Sequence, residues 1–237
     1  MAKIIEKAIE LVCLDWDHTL TKIHTHNMCF DKFSSVLNRL EFKNTSVVPS
    51  NYNANPEIIG YAKEIFSDKE ASFSFPVKIL ATISTLLKQG KSVAIVSYNN
   101  YPEIIYTGLE LIGLNQEQLS QINVICGFPK NRDAGKEEHI RCAMELLQNI
   151  SIEQVLLVDD DYNNCSKADN IGAKTLLASE FNMPKLMDLV STMIFGENNF
   201  VMGDDSAEEV FMPLVPERSE ELEASGELPT NQNSDCE

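Results

Sequence analysis

This chain of 237 residues predicts an α/β fold with a doubly wound parallel sheet, and three observations carry the prediction. Short runs rich in leucine, isoleucine and valine alternate with stretches of helical periodicity. The runs are apolar throughout, as strands covered by helices on both faces must be. They stop abruptly at Asp15, Ser97 and Asp159, polar residues that such a sheet gathers at its C-terminal edge.

The elements follow in order. A first buried strand is expected over residues 10–14, delivering Asp15 at its end. Residues 76–90 have helical spacing, with Gly90 as the stop signal. A second strand covers 92–96 and ends at Ser97, and a helix follows around 102–112, closed by Gly113. The third strand, 123–126, runs into Gly127-Phe128-Pro129. Residues 135–149 form an amphipathic helix with Ile140, Ala143, Met144 and Leu147 on one face. The fourth strand, 154–158, runs into Asp159-Asp160-Asp161, and 175–177 make a fifth.

Two regions break this rhythm. Residues 21–74 separate the first strand from the next helix and are too many for a plain connection. Helical patterns over 29–40 and 56–66 flank a turn-rich polar loop, 48–56, so a small helical cap insertion, about 28–73, is expected over the C-terminal edge of the sheet. The second region is acidic and proline-containing. Residues 1–196 are expected to form the α/β domain, and 197–237 a disordered acidic tail.

The net charge of −17 belongs mainly to that tail, which holds 12 acidic residues against one basic. Neither segment offers a basic patch for phosphate backbones, which excludes nucleic acid as the expected partner, whereas the tail could recruit a protein. No apolar run reaches the length of a membrane span, and the first residues lack the apolar core of a signal peptide, so a cytoplasmic location is expected. The six cysteines show no C-x-x-C pairing and suggest reduced thiols, with neither a disulfide frame nor a zinc site.

Asp15 and Asp17 stand two residues apart at a strand end, where extended chain turns both toward one mouth. Like charges held so close need a cation or a proton between them. With Ser97, Lys136 and the Asp159/Asp160 pair they make a set suited to a phosphate ester. A carboxylate can attack phosphorus, and a second can protonate the leaving oxygen and then activate water. A hydroxyl and a lysine can hold phosphoryl oxygens, and a carboxylate pair offers hard ligands to Mg²⁺.

These residues carry a resemblance. Asp15-Trp16-Asp17-His18-Thr19-Leu20 resembles the D-x-D-x-T-L motif of the haloacid dehalogenase (HAD) superfamily of phosphohydrolases. Ile95-Val96-Ser97 resembles its second motif, Gly135-Lys136-Glu137 its third, and Asp159-Asp160 with Asn164 its fourth; together they span about residues 10–180. The resemblance implies Asp15 as nucleophile and metal ligand, and Asp17 as acid/base that offers its main-chain carbonyl to the metal. It implies Ser97 and Lys136 as phosphoryl binders, and Asp160 as the direct Mg²⁺ ligand with Asp159 or Asn164 supporting it directly or through water. An acid at Asp17 marks the phosphatase and phosphomutase branches. The expected substrate is a phosphorylated small molecule or nucleotide, or a phosphoprotein of the phosphotyrosine type. The alternatives are a phosphomutase or phosphotransferase, or a catalytically silent binding module such as a secreted bacterial effector, whose Glu-rich C-terminal segments residues 219–225 resemble.

Particular residues admit other readings. The run 155–161 also resembles the opening of a response-regulator receiver domain, but too little chain follows it. Lys136 is preferred to Lys130 because it immediately precedes a helix, where ammonium and helix N-terminus act together on an anion. His24 and His26 are expected as exposed turn residues in preference to substrate contacts, and His18 as either. Trp16 is expected in the core, Asp161 and Asn163 as turn formers, and Tyr52 in a solvated loop.

Overall fold

The strand that carries Asp15 is the middle of the sheet. A computed structural model describes residues 8–33, 44–49, 52–147 and 149–179, together with residues 185, 188, 190, 192 and 194. All belong to one unit, Met1–Phe200; the expected acidic tail lies outside the described residues. The strands are β1 (Leu11–Asp15), β2 (Ser46–Val47), β3 (Ser92–Val96), β4 (Ile122–Cys126), β5 (Val155–Asp159) and β6 (Lys174–Leu177). The helices are α1 (Thr25–Phe33), α2 (Pro56–Ile65), α3 (Lys69–Ser72), α4 (Pro76–Lys88), α5 (Pro102–Ile112), α6 (Gln116–Ser120), α7 (Glu137–Glu145) and α8 (Tyr162–Asn170).

The sheet order is β2-β4-β3-β1-β5-β6. β1 pairs in parallel with β3 on one side and β5 on the other, Asp15 opposite Val96 and Leu14 opposite Val158. The chain winds outward in both directions from β1, and the crevice at that reversal is where open α/β sheets bind ligands. Successive residues feed two cores, as the period of two requires. Val12, Leu14, Val93, Ile95, Leu156 and Val158 pack into the core that also holds Ile79, Ile83, Ile104 and Ile105 of α4 and α5. Leu11, Cys13, Ala94, Val96, Val155 and Leu157 face Ile140 and Ala143 of α7 and Ala168 of α8.

One departure from the sequence reading is at the edge. The sheet is parallel except for β2, two residues of the insertion that pair antiparallel with β4, Ser46 opposite Cys126. A strand of two residues carries no periodicity to read. The insertion differs in placement as well. Its helix begins at Thr25 instead of Cys29, and residues 34–43 lie outside the described ones. α2 packs against α5, with Ile58, Ala62 and Phe66 in the shared core, so this helix lies in the layer beside the sheet. No described residue of 28–73 lines the mouth over the strand ends; His26 and Asn27 at the start of α1, just ahead of that stretch, do.

Trp16 takes the core position expected of it. It is fully buried, edge-on to Phe66 and Phe73 at 6.1 Å each, and it lies over Gly108 of α5. A Cβ at residue 108 would stand 2.7 Å from the Trp16 ring, so only glycine admits this approach. Among the described residues, Cys13, Cys29, Cys126, Cys142 and Cys165 are unpaired.

Candidate active site

Each site residue sits where an element ends. β1 delivers Asp15, β3 runs out into Ser97, β5 ends in Asp159, and Lys136 caps the N-terminus of α7. Gly135, ahead of the lysine, has φ +60° and ψ −133°, a region open only to glycine. A Cβ there would meet Asn164 Oδ1 at 3.0 Å, so the bend brings α7 and α8 together behind the site. Asp15, Asp17, Ser97, Lys136, Asp159, Asp160 and Asn164 all line one cavity of about 400 Å³.

At its floor, the buried Lys136 Nζ donates to Asp15 Oδ1 across 2.6 Å and to the Val96 carbonyl at 3.0 Å. Lys130, the rival lysine, is exposed and absent from the cavity lining. Burial pushes the Asp15 carboxyl up, Lys136 pulls it back, and Asp159 and Asp160 push it up again, leaving it well above the usual carboxylate range. Burial acts against the Lys136 ammonium, but Asp15, Asp159 and Tyr98 outweigh it and hold the lysine above its ordinary value. Asp159 is raised too, by burial first, although Lys136, Asn164 Nδ2 and the Asp161 N–H favour its charged form.

The crowding of carboxylates is real, but Asp17 is not its source. One carboxylate oxygen each of Asp15, Asp159 and Asp160 lies within 4.8 Å of the others. The Asp17 carboxylate instead turns to the start of α1, accepting from the Thr25 N–H and the Thr25 hydroxyl, both at 2.6 Å. Thr25 Oγ1 in turn accepts from Trp16 Nε1 at 3.1 Å and Asn99 Nδ2 at 2.9 Å. Three hard oxygen donors around one buried ammonium suit a small divalent cation better than a soft one. Asp15, Asp159 and Asp160 could hold Mg²⁺, and as a metal donor the resemblance implies only the main-chain carbonyl of Asp17.

Ser97 is buried, and its Oγ accepts the Asn99 N–H at 3.1 Å. Asp161 is a turn former as expected, capping α8 through the Asn163 N–H. His24 is exposed, as expected of it, whereas His26 is half-buried in the first turn of α1. His18, His24 and His26 all line the cavity mouth with Asn27 and Phe128, so even the exposed His24 faces the site. His18 and His24 rings lie 5.3 Å apart, and His26 meets Phe128 edge-on at 5.5 Å. His24 Nδ1 is 3.8 Å from Asp17 Oδ2.

Sequence reasoning missed Thr25, Tyr98, Asn99 and His139. The buried His139 ring places Nε2 at 3.2 Å from the Ser97 carbonyl and 2.9 Å from that of Gly127. Two acceptors at one nitrogen assign it the proton. Burial first, then Lys136, lowers His139 to about 3. Only its position one turn after Lys136, on the buried face of α7, was visible in advance.

No protein-family model matches the chain, and no curated protein matches it. Solved structures do. The HAD domain of the Legionella pneumophila effector protein Lem4 matches over 80% of this chain and 96% of its own, with a TM-score of 0.51 and 14% identity. The Legionella pneumophila effector Ceg4 matches over 81% and 98%, with a TM-score of 0.50 and 14% identity. Sheet, strand ends and these likenesses agree: the chain has the fold of a HAD domain.

Proposed function

We propose that the chain is a Mg²⁺-dependent phosphate-monoester hydrolase that works through a phosphorylated Asp15. The contact that carries the reading is Lys136 Nζ on Asp15 Oδ1, beside Asp159 and Asp160. An ammonium at a helix start and carboxylates from two neighbouring strand ends suit a dianionic phosphoryl group that must meet a carboxylate nucleophile.

In this reading Asp15 attacks phosphorus and the ester oxygen leaves, forming an aspartyl phosphate. Asp17, released from Thr25, gives its proton to the leaving oxygen and later takes one from the attacking water. Lys136 and the Ser97 hydroxyl hold phosphoryl oxygens, and the lysine offsets the charge that builds there. Bound Mg²⁺ would neutralise charge between nucleophile and substrate. The leaving group would lie at the mouth, between His18, His24, His26 and Phe128. A mouth built of rings favours a planar leaving group, as in a phosphotyrosine-type substrate, over a sugar phosphate.

Purified protein should release phosphate from p-nitrophenyl phosphate with Mg²⁺ and lose that activity on Asp15→Asn; undiminished turnover in this variant would overturn the assignment. Product analysis separates hydrolysis from a phosphomutase or phosphotransferase reaction. Both reported neighbours are called effectors, which supports a role for this chain as an effector phosphatase acting on a host phosphoprotein. Dephosphorylation of phosphotyrosine peptides tests that substrate class.

A further inference from the structure

Tyr98 belongs to none of the four motifs, yet it touches both halves of the site. Its hydroxyl donates to Asn164 Oδ1 at 2.9 Å. That bond fixes which way the amide lies, and so aims Asn164 Nδ2 at Asp159, 3.0 Å from Oδ1 and 3.2 Å from Oδ2. The face of the same ring lies under Lys136 Nζ, 3.9 Å from the centroid, within the range of a cation–π contact. The ring is gripped in its turn, stacked on Phe128 at 5.7 Å and 9° and edge-on to His139 at 5.3 Å. Burial raises the phenol to about 12, which keeps the hydroxyl a donor.

We propose that Tyr98 is a positioning residue that aligns the phosphate-side lysine and the metal-side carboxylate through one ring. It acts through its neighbours, by its hydroxyl on Asn164 and Asp159 and by its face on Lys136. The two contacts are separable. Tyr98→Phe removes the hydroxyl and keeps the face, whereas Tyr98→Leu removes both. The metal half rests on the proposed Mg²⁺ site; the Asn164 half does not.

Three measurements test it on the full chain. Calorimetric titration with Mg²⁺ should show Tyr98→Phe binding about tenfold more weakly than wild type, the scale of lost support behind a metal ligand. Inorganic phosphate at saturating Mg²⁺ should bind Tyr98→Phe as it binds wild type and Tyr98→Leu several-fold more weakly. In denaturant unfolding without metal, Tyr98→Phe should destabilise the wild type and leave Asn164→Ala unchanged. Equal Mg²⁺ affinity in wild type and Tyr98→Phe, or equal phosphate affinity in Tyr98→Leu and Tyr98→Phe, overturns the proposal. So does an additive Tyr98→Phe/Asn164→Ala pair. A wild type that binds no Mg²⁺ overturns the proposed function, while the metal-free cycle still decides whether the Tyr98 hydroxyl orients Asn164.

Discussion

Lys136 and Asp15, 121 residues apart in the chain, meet across 2.6 Å, both of them buried. The pair is isolated from solvent on every side except the cavity, so each charge depends on the other. Removing the lysine leaves a buried carboxylate facing Asp159 and Asp160, an uncompensated charge of the kind that costs about 3–5 kcal/mol. Lys136→Met should therefore lower stability by that amount at neutral pH in denaturant unfolding. Asp15→Asn should cost less, because Asp159 still faces the lysine and one negative charge has left the cluster.

The acidic cluster sets the response to metal. Asp15 and Asp159 are both raised, so a dication entering among them must displace protons and should bind more tightly as pH rises. Mg²⁺ at a hundredfold excess over its dissociation constant should stabilise the fold by about 2.7 kcal/mol, seen as a rise in Tm that a chelator reverses. Asp160→Asn should remove most of that rise at the same Mg²⁺ concentration.

His139 makes stability fall on the acid side. Its folded value is about 3 against an ordinary 6.5, so below 6.5 the unfolded chain binds a proton that the folded protein refuses. This contribution is fully present above pH 6.5 and is lost as pH falls toward 3, with a slope of up to about 1.4 kcal/mol per pH unit. Asp15 and Asp159, being raised, act with the opposite sign over part of that range. The difference between wild type and His139→Gln, measured by unfolding from pH 7.5 to 4, isolates the histidine and should shrink with acid.

The approach of Gly108 to Trp16 offers a test of packing alone. Gly108→Ala puts a methyl 2.7 Å from the indole and 3.2 Å from Phe66 Cε2, so the ring must shift. A loss of about 1–3 kcal/mol is expected for such overpacking. Trp16 is the sole tryptophan, so its emission reports the displacement directly.

At the mouth, Phe128→Ala should raise KM for p-nitrophenyl phosphate several-fold and weaken inorganic phosphate inhibition less, since Phe128 reaches the phosphate side only through Tyr98. Steady-state kinetics with the product as inhibitor separate the two.

The parallel sheet and its chemical edge were legible because buried strands write themselves as unbroken apolar runs, and Asp15, Ser97 and Asp159 mark where those runs stop. Lys136 was legible from the helix pattern behind it. The partners of these residues were not. Thr25 holds Asp17 only because α1 begins at that threonine, and Asn99 reaches Thr25 across 74 positions of sequence. Tyr98 reaches Asn164 across 66. Such contacts depend on how the strand-end loops pack, which no periodicity encodes. For the same reason the sequence does not show that His24 and His26 flank the mouth, where α1 begins.

β1 lies between two hydrogen-bonded neighbours, and this placement governs how far such a chain can drift. A carboxylate mounted on the innermost strand keeps its station while helix faces, edge strand and insertion are rewritten around it. An arrangement of this kind can hold its centre while its surfaces vary, which fits 14% identity coexisting with a shared fold.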